Sequence, residues 1–297
     1  MTIKKVLVVG VGTMGQQIGF QSAMHGFETV MFNFRQPSLD ACREMHKEFA
    51  RLFIDRGRPA EAVEAALGRI SYTTDLSEAC EGVDLVSESI IEDLEAKREL
   101  YPLLHRHCPE SAIFTTNTST FLPSQIADAT GRPERFMAMH FIVGIWDNNV
   151  VELMAPESTA RETYDAVYQF SQAIGMMPVE IKKEQPGYII NSLLIPWAVA
   201  AQSLVTNEVA SPTDVDKTWM KSTGMGMGPF GFMDAVGIGT VHTVLSNLAA
   251  ATGDEQHLKN AAYLQEHFID QNRLGVKSGA GYYNYPDPDY QKPEFLS

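Results

Sequence analysis

Residues 6–19 read VLVVGVGTMGQQIG: an apolar run, glycines at 10, 12 and 15, then residues that can open a helix. The GxGxxG spacing is a weak signal by itself. After a strand, before a helix and at the head of an α/β pattern, it specifies a turn that binds nucleotide phosphates. Gly10 permits the tight turn, Gly12 lets a pyrophosphate approach the backbone, and Gly15 lets the helix pack against the strand. The helix N-terminus, with Thr13 and Met14 in its first turn, offers free amides and a positive dipole end. A merely glycine-rich turn is the plainer reading, and the surrounding pattern disfavours it.

Short apolar runs continue outward from this turn, at residues 4–9, 29–32, 70–73, 85–88, 112–115, 136–140, 150–154 and 177–181. Several are nearly unbroken Val, Ile, Leu and Met, as strands buried on both faces of a parallel sheet require. Helical patterns such as 93–107 and 161–174 fall between them, so the fold class is α/β, a Rossmann-type doubly wound sheet. One connection is long: 38–68 reads as two helices broken at RGRP, 56–59, and forms a helical arm. Beyond Pro186 the strand signals stop. SPTDVD at 211–216 has Ser211 as helix cap and Pro212 in the first turn. The expected organisation is a dinucleotide-binding domain over 1–185 and a smaller all-helical domain over 186–297.

With 297 residues the chain exceeds what one core usually organises. A net charge of −14 argues against nucleic acid, because phosphate recognition needs clustered Lys and Arg. The three cysteines, Cys42, Cys80 and Cys108, have neither paired nor metal-ligand spacing, which fits a reducing, cytoplasmic setting and no metal. The N-terminal apolar run lacks a cleavage site. The apolar stretch 188–205 contains Asn191, Ser192, Pro196, Gln202 and Ser203, so a buried helix is expected rather than a membrane span. The apolar helices after 186 predict a homodimer.

The end of the second strand reports on the dinucleotide. A carboxylate there accepts from the ribose 2′-hydroxyl of NAD and repels the 2′-phosphate of NADP. TVMFNFRQPS places Asn33 at that position, with Arg35 two residues on. A neutral amide removes the repulsion and Arg35 can pair with a phosphate, whereas Asn33 can equally bond the hydroxyl with Arg35 solvated. The cofactor is NAD or NADP, with the lean toward NADP.

Residues 137–156, MAMHFIVGIWDNNVVELMAP, pose the chemical question. Oxidising a secondary alcohol with a nicotinamide needs a base for the hydroxyl proton, and the reverse needs an acid. Histidine suits both. A buried carboxylate on the far ring nitrogen fixes the tautomer and stabilises the imidazolium. His140 and Glu152 can fill these parts; the alternative is a satisfied core histidine and a charge at a strand edge.

With these motifs in order, the chain resembles the L-3-hydroxyacyl-CoA dehydrogenase family, in length its 3-hydroxybutyryl-CoA dehydrogenase members. TTNTST, MHF, VVELM, QPGYIIN, MGPF and KSGAGYY occur in register from the glycine turn to residue 285. The resemblance implies a catalytic pair at His140 and Glu152, a substrate-holding serine at Ser119 and a further site residue at Asn191. It implies Glu92 and Lys97 on the nicotinamide side, with Asn117 among the cofactor contacts. The arm at 38–68 resembles the one that closes over the CoA moiety in the family. The substrate it implies is a 3-hydroxyacyl or 3-oxoacyl compound.

Four departures stand against the pattern: Asn33 for an acidic residue, Val143-Gly144 for Asn-Pro, Ser192 for arginine, and an arm poor in lysine. The first bears on the cofactor and the others on the CoA substrate. In the changed loop, Gly144 is expected to loosen the backbone and Trp146 to narrow the acyl pocket, with Asp147, Asn148 and Asn149 free to bond a polar substrate. The competing picture is a surface loop with Trp146 packed on the neighbouring domain. Two other functions remain open: a dehydrogenase of a 3-hydroxy acid without CoA, sugar-acid or carnitine-like, and a non-catalytic dinucleotide-binding protein.

Overall fold

The computed structural model describes residues 2–297. Eight strands form one sheet: β1 (Lys5–Val9), β2 (Glu28–Phe32), β3 (Ile70–Thr73), β4 (Leu85–Glu88), β5 (Ile113–Thr116), β6 (Phe136–Phe141), β7 (Val150–Met154) and β8 (Met177–Ile181). All eight runs read from the sequence are present, their ends shifted by a residue at most. The helices up to β8 are α1 (Thr13–Met24), α2 (Gln36–Asp55), α3 (Ala60–Leu67), α4 (Leu76–Cys80), α5 (Leu94–His107), α6 (Ser124–Ala127) and α7 (Arg161–Ala173). α8 (Ile190–Thr206), α9 (Pro212–Thr223), α10 (Pro229–Val236), α11 (Ile238–Thr252) and α12 (Glu255–Leu264) follow.

The strand order is β3-β2-β1-β4-β5-β6-β7-β8. Every neighbouring pair is parallel except β6–β7. The exception has a simple cause: residues 142–149 are too few for the crossover that a parallel return needs. Cores lie on both faces of the sheet, one around Val6, Val8, Met31 and Met139, the other around Leu7, Val9, Val86 and Phe114. Alternate residues of β1 therefore point to opposite cores, as the two-residue period of a strand dictates.

The chain divides into two compact units, one ending at Ile190 and the other running from Asn191 to Ser297. In the first, α2 leaves β2 and buries Leu39, Cys42, His46, Ala50 and Phe53. His46 is fully buried, its Nδ1 2.7 Å from the Tyr72 hydroxyl and its Nε2 2.9 Å from the Gln16 carbonyl. A ring held this way is neutral, and burial lowers its pKa to about 4.

The second unit packs α8–α12 and the C-terminal turns around Val205, Met220, Phe230, Met233 and Leu264. Ser211 caps α9 by accepting from the Asp214 amide. Asp216 and Asp234 are buried, and they explain the MGPF and GAGYY motifs structurally. Asp216 accepts from the Phe230 and Gly231 amides and the Tyr283 hydroxyl. Asp234 accepts from the Tyr282 and Tyr283 amides and the Tyr285 hydroxyl. Among the described residues, no helix is long and apolar enough to cross a membrane.

Candidate active site

The glycine turn joins β1 to α1. Gly10 has φ +94°, a conformation that L side chains rarely adopt, and a Cβ on Gly15 would sit 1.9 Å from the Gly10 carbonyl oxygen. Gly12 caps α1 without a side-chain hydrogen bond, and a Cβ placed there meets nothing within 4 Å. The first amides of α1, at Thr13, Met14 and Gly15, thus face an open approach, which fits a dinucleotide pyrophosphate. Asn33 follows β2 directly, and its Oδ1 accepts from the Arg35 amide at 3.0 Å. Arg35 is exposed.

His140 and Glu152 are buried and are direct register partners across β6 and β7. His140 Nδ1 lies 2.8 Å from Glu152 Oε2. The other carboxylate oxygen accepts from the backbone amides of Ile189 and Ile190, each at 2.9 Å. With every carboxylate oxygen engaged, the ring orientation is set. A proton on Nδ1 leaves Nε2 as an acceptor, and the Ser119 hydroxyl is 3.2 Å from it. The Tyr188 ring lies over His140, centroids 4.5 Å apart, on a left-handed backbone with φ 57°. Sequence reasoning did not single out Tyr188; its place within QPGYIIN was the available signal.

Asn117 joins strand ends, its amide donating to the Glu88 carbonyl and its Oδ1 accepting from the Phe141 amide. Glu92 Oε1 accepts from the Thr118 hydroxyl, the Ser119 and Thr120 amides and the Thr120 hydroxyl. Burial pushes the Glu92 carboxyl up, but the Thr118 hydroxyl and the Lys97 ammonium outweigh it and hold it below the usual range. Lys97 of α5 stands beside Glu92. Its side chain is buried, with Nζ 2.7 Å from Glu88 Oε1 and 3.3 Å from Glu92 Oε2. A buried ammonium needs such partners, and here carboxylates supply them.

The loop after His140 also differs from its expectation. Gly144 does not loosen the backbone: its amide and that of Ile145 both donate to Gln17 Oε1 at 3.2 Å. Trp146 packs inside its own unit on Phe20, Phe49 and Phe53, with centroid distances of 6.2, 4.6 and 5.2 Å. Asp147 meets the Arg56 guanidinium through both oxygens. Asn148 donates to the Val143 carbonyl and Asn149 to that of Gly175. Aromatic burial and a two-toothed ion pair engage this loop with the helical arm. Asn191 opens the second unit as the second residue of α8. Among the described residues, no group of His, Cys, Asp and Glu could hold a metal ion.

The chain is an oxidoreductase that acts on a CH–OH group, and its glycine turn with open amides fits a nicotinamide dinucleotide. The chain belongs to the 3-hydroxyacyl-CoA dehydrogenase family. The family's NAD binding domain matches residues 5–185 and its C-terminal domain residues 187–285. A 3-hydroxybutyryl-CoA dehydrogenase of Clostridioides difficile is 30% identical, covering 95% of this chain and 99% of its own. Among solved structures, one of a diketoreductase, described as performing substrate-directed dual catalysis of dicarbonyl compounds, superposes with TM-score 0.89. It is 39% identical and covers 96% of this chain and 100% of its own. An (S)-3-hydroxybutyryl-CoA dehydrogenase from Ralstonia eutropha has TM-score 0.85 at 26% identity, with coverage of 96% and 100%.

Proposed function

We propose that the chain interconverts a short 3-hydroxyacyl-CoA and its 3-oxo form, with His140 moving the proton and Glu152 stabilising its charged ring. The carrying observation is the His140 ring itself. Glu152 occupies Nδ1, which leaves Nε2, beside the Ser119 hydroxyl, as the acceptor that a substrate hydroxyl needs. The nicotinamide, when bound, gives or takes the hydride. Ser119, at hydrogen-bond distance from Nε2, holds the substrate oxygen against the ring. Asn191 joins it in this reading on the strength of the QPGYIIN motif.

The cofactor reading leans to NADP. The Asn33 oxygen is engaged with its own loop, which leaves the amide N–H groups to face a 2′-substituent, and Arg35 is exposed beside it. The exposed Leu193, Leu204 and Val209 of the second unit support a homodimer, and three buried free cysteines support a reducing, cytoplasmic setting.

A second reading has a specific observation behind it: a dicarbonyl or 3-oxo acid substrate without CoA. It is supported by the similarity to the diketoreductase structure and by the arm's cations. Of these five, Lys47, Arg51 and Arg56 are ion-paired, to Glu44, Glu48 and Asp147, and Arg43 lies over the Tyr72 ring. The deciding assay measures consumption of NADH and NADPH with acetoacetyl-CoA, free 3-oxo acids and small diketones. Turnover of acetoacetyl-CoA alone supports the first reading, and turnover of the CoA-free compounds alone supports the second. Cofactor binding without turnover of any of them overturns both.

A further inference from the structure

Ser119 is useful to a proton-transferring histidine only while its hydroxyl stays in place. It sits in a loop between β5 and α6 with little regular structure of its own. One carboxylate oxygen, Glu92 Oε1, gathers the donors of that loop: the Ser119 amide at 2.8 Å, the Thr120 amide at 2.9 Å, and the Thr118 and Thr120 hydroxyls at 2.5 and 2.8 Å. The other oxygen meets Lys97 Nζ, and Lys97 is itself fastened to Glu88. Glu88 is fully buried at the end of a central strand. Its Oε1 takes the Ile90 amide and its Oε2 takes the Thr116 and Tyr101 hydroxyls.

We propose that Glu92 is a positioning residue for the reaction: anchored through Lys97 to buried Glu88, it clamps the 118–120 loop so that the Ser119 hydroxyl faces His140 Nε2. This rests on the reading of Ser119 and His140 given above. The contacts form one connected path of an ion pair and charge-assisted hydrogen bonds, Glu88 to Lys97 to Glu92 to the Ser119 backbone. Bonds with an ionised partner are about twice as strong as neutral ones, so they can hold a loop against its conformational entropy. Neither Lys97 nor Glu88 needs to touch substrate or cofactor to act this way.

A double-mutant cycle tests the clamp. Glu92→Ala is expected to lower kcat about 10²-fold, the cost of a misplaced substrate-holding group, while the Kd of the reduced cofactor changes little. In a Ser119→Ala background, Glu92→Ala is expected to add almost nothing. Glu92→Gln, which keeps an acceptor oxygen, is expected to recover most of the turnover. Thr118→Val, which keeps the carboxylate, is expected to give a small loss of the same kind even if Glu92→Ala folds poorly. The ¹⁵N resonance of His140 Nε2 gives a readout that needs no substrate, and it should move in Glu92→Ala as it does in Ser119→Ala.

A weakened cofactor Kd with kcat intact, or a Glu92→Ala loss that persists in full without Ser119, overturns the proposal and leaves Glu92 as a cofactor contact. Normal turnover in Ser119→Ala itself would instead remove the role given to Ser119, which is a different failure.

Discussion

His140 and Glu152 face each other as register partners across the antiparallel pair of the sheet, with Nδ1 and Oε2 2.8 Å apart. Strand pairing therefore fixes their relation before any side chain turns. His140→Ala is expected to lower turnover about 10²–10⁴-fold with cofactor binding nearly unchanged. Glu152→Gln should be milder than Glu152→Ala, because an amide oxygen still holds the ring but does not neutralise its charged form. Glu152→Ala also strips the Ile189 and Ile190 amides of their acceptor, so it should lower Tm as well. Steady-state kinetics with cofactor titration check this, and near-normal turnover in His140→Ala would sink the mechanism.

Asn33→Asp is expected to shift preference toward NADH, since a carboxylate would stand where a 2′-phosphate sits. Arg35→Ala should weaken NADPH more than NADH. Fluorescence titration with both cofactors decides it: equal losses would mean that Arg35 is only a solvated side chain.

Much of this was legible because its signals are local. Unbroken apolar runs mark the eight strands, and glycines at 10, 12 and 15 mark the turn. The pair His140 and Glu152 was legible only through the family's motifs; that β6 and β7 run antiparallel and set the two in register came from the structure. What stayed hidden depends on distant partners. That Lys97 is consumed by Glu88, that Tyr188 covers the His140 ring, and that Gln17 holds the Gly144 amide all require residues from separate elements to meet. The loop after His140 was misread for the same reason, its fate being set by Phe49, Phe53 and Arg56 of the arm.

Stability should fall with acid through His46. Its folded pKa, about 4, lies below its ordinary value near 6.5, so the unfolded chain binds the extra proton first. The contribution is complete above 6.5 and is lost as pH falls from there toward 4. At 1.36 kcal/mol per unit it is on the order of 3 kcal/mol. Urea midpoints across this window should show a slope that His46→Gln removes; an unchanged slope would assign the acid sensitivity to other groups.

Trp146 should matter to the fold of the arm. It is half-buried, with its ring edge-on to Phe20, Phe49 and Phe53, and the Arg56–Asp147 pair lies nearby on an exposed surface. The two contacts differ in worth. Deleting a large aromatic side chain from a packed cluster costs about 3–5 kcal/mol, whereas an exposed ion pair contributes about 0–1 kcal/mol. Trp146→Ala is therefore expected to lower the urea midpoint strongly and Asp147→Ala only slightly. The indole Nε1 is buried without a hydrogen-bond partner among the described residues, a burden that phenylalanine would not carry. Trp146→Phe is expected to stay within about 1.5 kcal/mol of wild type, the lost ring volume being offset by the removed donor. If Trp146→Ala proves as stable as wild type but changes the ratio of specificity constants between long and short acyl chains, Trp146 selects substrate and does not hold the arm.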